Sequence, residues 1–178
     1  ASELEQYNKE RQILEKELLK KILDQKKTYI NDPVLIISGS NWHEGVIGIV
    51  AARLKDKFNK PAIIISLEEG IGKASARSIV GFDIGSVIIA ATQENILLKG
   101  GGHKMAGGFS IKVENIEKFK SFVFRKFKSI NEDLSSNKPL LLDSIISPSA
   151  VNLDFFNKVA LLSPFGSGNP EPKFVIEN

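Results

Sequence analysis

The strongest constraint on the fold of this chain is a pair of continuous apolar runs with a helix-forming segment between them. The runs occupy residues 34–38 and 61–66, and each is typical of a buried strand. Apolar residues recur at helical spacing over residues 45–58, which predicts a helix between the two strands. A strand, a helix and a strand within about 35 residues make a βαβ unit, whose two strands run parallel. The sequence therefore predicts an α/β fold.

Further predicted elements extend this unit in both directions. Residues 3–27 are predicted to form one long helix, with Ser2 as its cap and an apolar stripe at helical spacing. Strand and helix patterns continue to alternate after residue 66. The later elements are a strand over 72–78, a helix over 84–95 capped by Asp83, a strand over 109–113 and a helix that ends at about residue 129.

A polar, turn-rich segment at residues 131–138 predicts a domain boundary. Beyond it we expect a strand over 140–142, a helix over 152–161, a long turn over 164–172 and a strand over 174–176. The expected parts are a long connector helix (1–30), a central domain (31–132) and the beginning of a second domain (138–178). The chain does not begin with Met and ends within a pattern, so we expect a fragment of a longer protein.

Composition excludes several classes of protein. The 178 residues include no cysteine, which excludes a disulfide framework and a thiolate metal site and is compatible with a reducing cytosol. No apolar run reaches the roughly 18 residues of a membrane span. The net charge of +3 is too small by itself to indicate a nucleic-acid partner. We expect a cytoplasmic protein that has no membrane partner and acts as a monomer.

Residues 99–108 form a glycine-rich stretch. Five of these ten residues are glycine, in a chain with only 14, and His103 and Lys104 follow three consecutive glycines. Glycine allows positive φ and exposes successive N–H groups that bind anions, and the histidine and lysine add charge-assisted hydrogen bonds. One interpretation is therefore a cradle for a phosphate or a nucleic-acid backbone. The alternative is a tight loop between a helix and a strand, with a bulge at Gly107 and Gly108, and spacing alone does not separate the two.

Two candidate polar features are associated with the predicted helix over 45–58, one just before it and one on it. Asn41, Trp42 and His43 follow the first strand of the βαβ unit, at the sheet edge where ligands gather in open α/β folds. The alternative is a helix entry in which the Trp42 ring packs on the sheet. Arg53 lies on the helix itself and is a candidate phosphate ligand, whereas its alternative interpretation is a surface charge or a helix-pairing charge.

The predicted strand over 72–78 has one polar face. Lys73, Ser75 and Arg77 share that face because side chains alternate along a strand with a period of two. Their neighbours are small, so there is room beside Arg77 for an extended ligand. A guanidinium that binds in a bidentate manner favours phosphate. This face is therefore a candidate anion-binding surface.

Catalytic machinery is not evident in the sequence. A two-metal hydrolase needs several carboxylates and histidines close together, and the chain has only two histidines, His43 and His103. No nucleophile with a partnered base stands out. We therefore expect this chain to bind no metal ion, and His103 is the one candidate general acid or phosphate ligand.

Four motifs in this order resemble the RecJ family of the DHH phosphoesterase superfamily. Residues 38–54, and residues 73–78 followed by 81–83, resemble its DHH-associated domain. Residues 101–109 are similar to that domain's Gly-Gly-His signature, with Gly107 where the family more often has Ala. Residues 164–172 resemble the family's entry into an OB-type domain. The resemblance implies a mixed β-sheet flanked by helices, preceded by a long connector helix and followed by the start of an OB-type domain.

The resemblance also implies an activity. The family consists of single-stranded-DNA-specific 5′→3′ exonucleases of DNA recombination and repair that depend on Mn²⁺ or Mg²⁺. The metal ligands lie in a preceding DHH domain, so the present chain is expected to hold DNA phosphates opposite that domain and to be inactive alone. The partners implied are single-stranded DNA, the DHH domain and the rest of the OB-type domain. The implied nucleic-acid-binding residues are Asn41, His43, Arg53, Ser75, Arg77, Gly101, Gly102, His103 and Lys104, with His103 also catalytic.

Two other functions remain open at this stage. One is a different phosphoesterase of the same superfamily that acts on short RNA or cyclic dinucleotides. The other is a non-catalytic module that binds nucleic acid or a protein partner, built on the amphipathic helix over 3–27.

Overall fold

The structure is a computed structural model that describes residues 2–132, 142–166 and 168–177. The chain divides into two compact units, residues 1–135 and residues 136–178. The first unit is built on a five-stranded sheet and the second on a two-stranded sheet. None of the helices in the described residues is both long enough and apolar enough to cross a membrane.

The sheet of the first unit is mixed. Its five strands are β1 (Leu35–Ser40), β2 (Ala62–Glu68), β3 (Ile71–Arg77), β4 (Lys99–His103) and β5 (Ala106–Lys112). They lie in the order β1-β2-β3-β5-β4. The β1–β2 pair is parallel, as the βαβ pattern predicted, and the remaining pairs are antiparallel. Glu69 and Gly70 have φ of 46° and 81°, which suits the tight turn that joins β2 to β3.

Four helices accompany this sheet. They are α1 (Ser2–Asp24), α2 (Glu44–Phe58), α3 (Ile84–Gln93) and α4 (Ile116–Glu132). The prediction extended α1 to residue 27, but the helix ends at Asp24 and a 3-10 turn follows at Lys26–Thr28. A second 3-10 turn, Val113–Asn115, leads into α4. Helix α2 is capped at its N-terminus by His43, whose Nδ1 accepts a hydrogen bond from the Gly45 N–H, and at its C-terminus by Asn59 in the left-handed conformation.

Two hydrophobic cores lie on opposite faces of the sheet. On one face α3 and α4 cover β2, β3 and β5, where the Phe109 and Phe119 rings are 4.7 Å apart. On the other face α2 lies over β2 and β3, and the second half of α1 packs on this side through Leu18 and Ile22. The first half of α1 leaves Leu4 exposed. Helix α2 does not extend over β5 and β4, so one face of these strands stays open.

The glycine-rich stretch is not a loop, and this prediction was wrong. It forms β4, a turn and the beginning of β5, and it contains no left-handed glycine. The predicted bulge is also absent, because Gly101 pairs with Gly108 and Gly102 with Gly107 in regular register. Close packing explains the composition: a Cβ on Gly102 would come within 2.5 Å of Gly107 Cα, and one on Gly100 within 2.7 Å of Ile88 Cγ2.

The N-terminus of α3 depends on Asp83. The Asp83 carboxylate accepts a hydrogen bond of 3.0 Å from the Ser86 N–H, and this bond lowers the pKa of Asp83. We expect Asp83→Ala to lower the free energy of unfolding by about 1 kcal/mol at pH 7. Because the folded-state pKa is lowered, this contribution is present above the ordinary carboxyl range of about pH 4 and is lost as the pH falls through the folded-state pKa.

Urea unfolding at pH 7 and at low pH measures this contribution. Asp83→Asn is the matched control, because an amide oxygen still caps the helix but does not titrate. A stability of Asp83→Ala equal to that of the unchanged chain at pH 7 would contradict the assignment.

The second unit is smaller. It contains β6 (Ser144–Ile146) and β7 (Phe174–Ile176), which pair in parallel, a 3-10 turn at Pro148–Ala150 and α5 (Leu153–Ala160). Helix α5 is capped by Asn152, and the Phe155 and Phe174 rings are 5.1 Å apart. The helix and the last strand were predicted at almost these positions.

One predicted strand of this unit is misplaced. Residues 140 and 141 lie outside the described residues, Leu142 is not in a strand, and the strand begins at Ser144. The run of leucines suggested a buried strand, whereas the pairing with β7 occurs further along the chain. Asp143 fixes this register, because its Oδ2 accepts a hydrogen bond of 2.8 Å from the Lys173 N–H.

Candidate functional site

The face of β3, β5 and β4 on the α2 side of the sheet forms the floor of the candidate site, and it is open over β5 and β4. Side chains at alternate positions share this face, and the strand register arranges them in three rows across the three strands. The rows are Lys73–Ser110–Lys99, Ser75–Gly108–Gly101 and Arg77–Ala106–His103. The middle strand contributes only small side chains, and basic side chains stand on both sides of it. We call this surface the basic face.

Helix α2 forms one wall above the basic face. Gly48 lies directly over β3, where an added Cβ would come within 2.9 Å of Ser75 Oγ and 3.1 Å of Arg77 Nη2. Glu44 and Ile47 of α2 line a depression above the basic face, and the volume of this depression is about 680 Å³. The absence of a side chain at Gly48 is what allows the Arg77 guanidinium to lie between the helix and the sheet.

Arg77 is held in place before any ligand binds. Its side chain is half-buried, and Nη1 donates hydrogen bonds to Ser75 Oγ at 3.1 Å and to the Ala76 carbonyl at 2.8 Å. Nη2 and Nε have no acceptor of this kind among the described residues. A guanidinium fixed in this way loses little conformational freedom when it binds an oxyanion.

His103 stands at the other side of the same row. Its Nδ1 accepts a hydrogen bond of 3.3 Å from the Met105 N–H, which leaves Nε2 as the protonated nitrogen of the neutral ring. His103 and Arg77 both pair with Ala106, so their Cα atoms are about 10 Å apart, two strand spacings. An anion above Ala106 would therefore have Arg77 on one side and the His103 imidazole on the other.

The turn that follows His103 is tied to the rest of the domain. The Met105 carbonyl accepts a hydrogen bond of 2.8 Å from Ser78 N, and the Lys104 carbonyl accepts one of 3.3 Å from Ile84 N at the start of α3. These bonds set the position of His103 from two directions. Lys104 itself is exposed, and its charge contributes to the lowered pKa of Asp83.

Gly101 differs from the other glycines of β4. An added Cβ at Gly101 would meet no atom within 4 Å, whereas Gly100 and Gly102 pack against their neighbours. Gly108, its partner on β5, would meet only the Ala74 carbonyl oxygen at 3.4 Å. Packing within the chain therefore does not require glycine at 101. What glycine provides there is a flat floor that a ligand can approach closely.

The Asn41–His43 segment contacts the beginning of α2 and the neighbouring strands. Asn41 has a φ of 62°, His43 caps α2, and the Trp42 ring packs against Gly39. The Trp42 carbonyl accepts a hydrogen bond of 2.6 Å from Ser66 Oγ. These residues line a separate depression of about 380 Å³ at the carboxyl ends of β1 and β2. The helix-entry interpretation describes these contacts, and a role in DNA binding remains a prediction.

Arg53 is not brought to the basic face. It follows Gly48 by five residues, which turns its side chain by roughly 140° around the helix. Its Nε forms an ion pair with the buried carboxylate of Glu15 on α1, and Glu15 also pairs with Arg11 at 3.1 Å. The helix-pairing interpretation therefore describes this placement. DNA binding by Arg53 stays a prediction without support from this geometry.

Five residues of the basic face were not among the predicted nucleic-acid-binding residues: Lys73, Lys99, Ala106, Gly108 and Ser110. Lys73 had been placed on the polar strand face, where its Nζ lies 2.6 Å from Glu44 Oε1. That hydrogen bond and the charge of Glu44 raise the pKa of Lys73. Ser110 lies in the strand predicted over 109–113, where the period of two was not used to find it. Lys99, Ala106 and Gly108 lie in the stretch predicted as a loop, and the same period would have found them had it been predicted as strand.

A metal centre does not emerge from the described residues. No three side chains of the His, Cys, Asp or Glu type come together there in a way that suits a metal ion. The basic face is cationic, which suits anionic ligands and not Mg²⁺ or Mn²⁺, both of which prefer oxygen ligands such as carboxylates.

Comparison with known proteins identifies the family. The profile of the DHHA1 domain matches residues 15–129. The chain belongs to the DHHA1 domain family. The profile of the RecJ OB domain matches residues 142–178, so this DHHA1 chain continues into an OB-type segment. The resemblance inferred from the four motifs and the predicted fold class are both confirmed.

Sequence relatives support the same relationship. The chain is 30% identical to the single-stranded-DNA-specific exonuclease RecJ of Bacillus subtilis over all of its length, which is 23% of that relative. It is 32% identical to the RecJ of Thermus thermophilus, covering 98% of this chain and 24% of the relative. The chain is thus homologous to RecJ exonucleases and spans about a quarter of their length.

Solved structures agree with the sequence comparison. The crystal structure of Thermus thermophilus RecJ in complex with Mg²⁺ matches with a TM-score of 0.75 and 30% identity, over 96% of this chain and 26% of that one. The structure of the same protein with Mn²⁺ matches with the same TM-score over 98% of this chain and 25% of that one. The RecJ structures therefore contain the fold described above.

Proposed function

We propose that this chain is the DNA-binding half of a single-stranded-DNA-specific 5′→3′ exonuclease of recombination and repair. The observation that carries this proposal is the basic face, where a fixed guanidinium, an imidazole donor and a glycine floor converge on one strip of sheet. The RecJ relatives supply the class of substrate, because their name describes exonucleases specific for single-stranded DNA. Phosphodiester groups are the anions that such a substrate offers at regular intervals.

Arg77, His103 and Gly101 each have a defined role in this proposal. The free guanidinium nitrogens of Arg77 donate to two oxygens of one phosphate, with Ser75 holding Nη1 in position. The imidazole of His103 donates from Nε2 to a phosphate oxygen and stabilises the negative charge that develops when the phosphodiester is attacked. Gly101 lets the sugar-phosphate backbone lie against the sheet.

Metal ions enter this proposal only through another part of the parent protein. Mg²⁺ or Mn²⁺, held by a DHH domain, would activate the attacking water and neutralise the leaving oxygen. The described residues offer no ligand cluster for such ions. We therefore expect the 178-residue chain to bind DNA without hydrolysing it. The monomeric state and the cytoplasmic location belong to the same proposal.

A binding titration tests the proposal directly. We expect a fluorescent single-stranded oligonucleotide to bind the chain at low salt, because phosphate contacts release condensed counterions. Two or three such contacts give a slope of about −1.4 to −2.1 in a plot of log K against log salt concentration. Cyclic dinucleotides and short RNA, measured in parallel, address the other superfamily activities.

Three outcomes separate the possibilities. Salt-dependent binding that prefers the DNA strand supports the proposal. Tighter binding of a cyclic dinucleotide would replace it with a different phosphoesterase substrate. Phosphate contacts are strong at a salt concentration of about 50 mM. If the chain did not bind DNA under that condition, a direct DNA contact by this chain would be contradicted.

A further inference from the structure

The basic face has two cationic ends, and the proposed function assigns a role to only one of them. Arg77 and His103 flank Ala106 at one end, whereas Lys73 and Lys99 flank Ser110 at the other. The two ends are separated by four residues along each strand, which is about 14 Å. One phosphate cannot contact both ends, so a ligand that uses the whole face carries anionic groups at more than one position.

The floor between the two ends is a shallow channel along β5. Its floor residues, Ser110, Gly108 and Ala106, are all small, and the cationic side chains stand on β3 and β4 on either side. The depression of about 680 Å³ includes Lys73, Lys99 and Ser110. The channel therefore runs parallel to β5 and is lined by positive charge at both of its ends.

The Lys73 end is partly neutralised in the free protein. Glu44 Oε1 lies 2.6 Å from Lys73 Nζ, and both side chains are about half exposed. Glu44 is the one acidic residue that lines this depression within the described residues. A phosphate that approaches Lys73 must therefore compete with a carboxylate, and Lys73 exchanges one anionic partner for another.

We infer that Lys73, Lys99 and Ser110 form a second phosphate subsite, so that a DNA strand lies along β5 with one phosphate at each end of the channel. This inference rests on the proposed function and deepens it. It makes the site selective for a continuous strand over a single terminal phosphate. Ser110 Oγ and the two ammonium groups donate hydrogen bonds to the phosphate oxygens, and Glu44 weakens this subsite in the free protein.

A length series of 5′-phosphorylated oligothymidylates, from mononucleotide to hexanucleotide, tests the subsite. We expect the affinity of the unchanged chain to increase as the oligonucleotide is lengthened beyond its first phosphates. In Lys73→Gln and Lys99→Gln this gain shrinks, with hexanucleotide binding about 3- to 10-fold weaker and the salt slope less steep by about 0.7. Mononucleotide binding changes by less than about twofold, because one phosphate occupies the Arg77 end.

Two further variants sharpen the result. Glu44→Gln removes the competing carboxylate, and we expect hexanucleotide binding about 2- to 5-fold tighter. Lys118→Gln removes the same charge as Lys73→Gln from an exposed position on α4, which packs on the opposite face of the sheet. Binding by Lys118→Gln stays within about twofold of the unchanged chain.

The outcomes distinguish this inference from the proposed function. If Arg77→Ala weakens hexanucleotide binding but Lys73→Gln and Lys99→Gln do not, the second subsite is wrong and the proposed function stands. A loss in Lys118→Gln as large as that in Lys73→Gln would show a general charge effect and would also overturn the subsite. If no oligonucleotide binds to the unchanged chain, both proposals fail.

Discussion

Arg77→Ala is expected to weaken the binding of single-stranded DNA by at least about 10-fold, the largest effect of any single charge on the basic face. The guanidinium is already oriented by hydrogen bonds to Ser75 Oγ and the Ala76 carbonyl. Its side chain therefore loses little further conformational entropy when the ligand binds. Fluorescence anisotropy at constant salt measures the change. Arg77→Lys is expected to restore only part of the affinity, because an ammonium cannot make the bidentate contact.

The matched control is Arg125→Ala. Arg125 is exposed on α4, where its guanidinium lies 5.5 Å from the Phe122 ring centroid, on the opposite face of the sheet. The same loss of charge there is expected to change DNA binding by less than about twofold. Circular dichroism and urea unfolding verify that both variants fold. Equal binding by Arg77→Ala and the unchanged chain would remove Arg77 from the site.

Substitutions at two neighbouring glycines, Gly101 and Gly102, are expected to affect protein stability and DNA binding differently. Gly102→Val places side-chain atoms against Gly107 Cα and the Ala106 backbone, so we expect the free energy of unfolding to fall by about 3 kcal/mol. Gly101→Val points into open space and is expected to change that free energy by less than about 1 kcal/mol. Because it fills the floor of the channel, Gly101→Val is expected to weaken DNA binding about 10-fold or more.

Urea unfolding and anisotropy titrations on the same preparations measure both quantities. Gly101→Ala provides a graded control, since one methyl group obstructs less of the channel than an isopropyl group. A Gly101→Val variant that folds normally and binds DNA like the unchanged chain would show that the ligand does not lie over this position. A Gly102→Val variant of unchanged stability would contradict the strand pairing of β4 with β5.

Local patterns predicted much of the fold because they do not depend on distant contacts. The period of two along residues 72–78 placed Lys73, Ser75 and Arg77 on one face, and the structure has them there. The apolar runs on either side of α2 predicted the parallel pair β1–β2 for the same reason. The Asp83 cap was predicted because its hydrogen bond joins residues three apart in the chain.

The glycine-rich stretch shows where such patterns fail. Glycine has no side chain, so residues 99–108 carry no periodicity from which a strand could be recognised. The conformation is decided by neighbours that are distant in sequence: Ile88 on α3 packs against Gly100, and a Cβ added at Gly85 would come within 2.9 Å of the His103 carbonyl oxygen. An anion cradle built on positive φ was a reasonable expectation from composition, but the backbone that forms is extended.

Arg53 shows a second limit. Its residue type and its position on α2 made it a candidate phosphate ligand, and nothing nearby in the sequence indicated a partner. The partner is Glu15, which lies on α1 and is buried when that helix packs on α2. When a basic side chain has several possible anionic partners, tertiary packing decides which of them it contacts.

By itself, the sequence determined the α/β class, the parallel β1–β2 pair, the polar side of β3 and the motifs that relate the chain to RecJ. Each of these depends on residue type and spacing over a few positions. Only the tertiary structure decided that residues 99–103 and 106–108 belong to strands, and that the strand register aligns Lys99 with Lys73 and His103 with Arg77 across β5. Register follows from how α3 and the sheet pack, and that packing joins residues far apart in the chain.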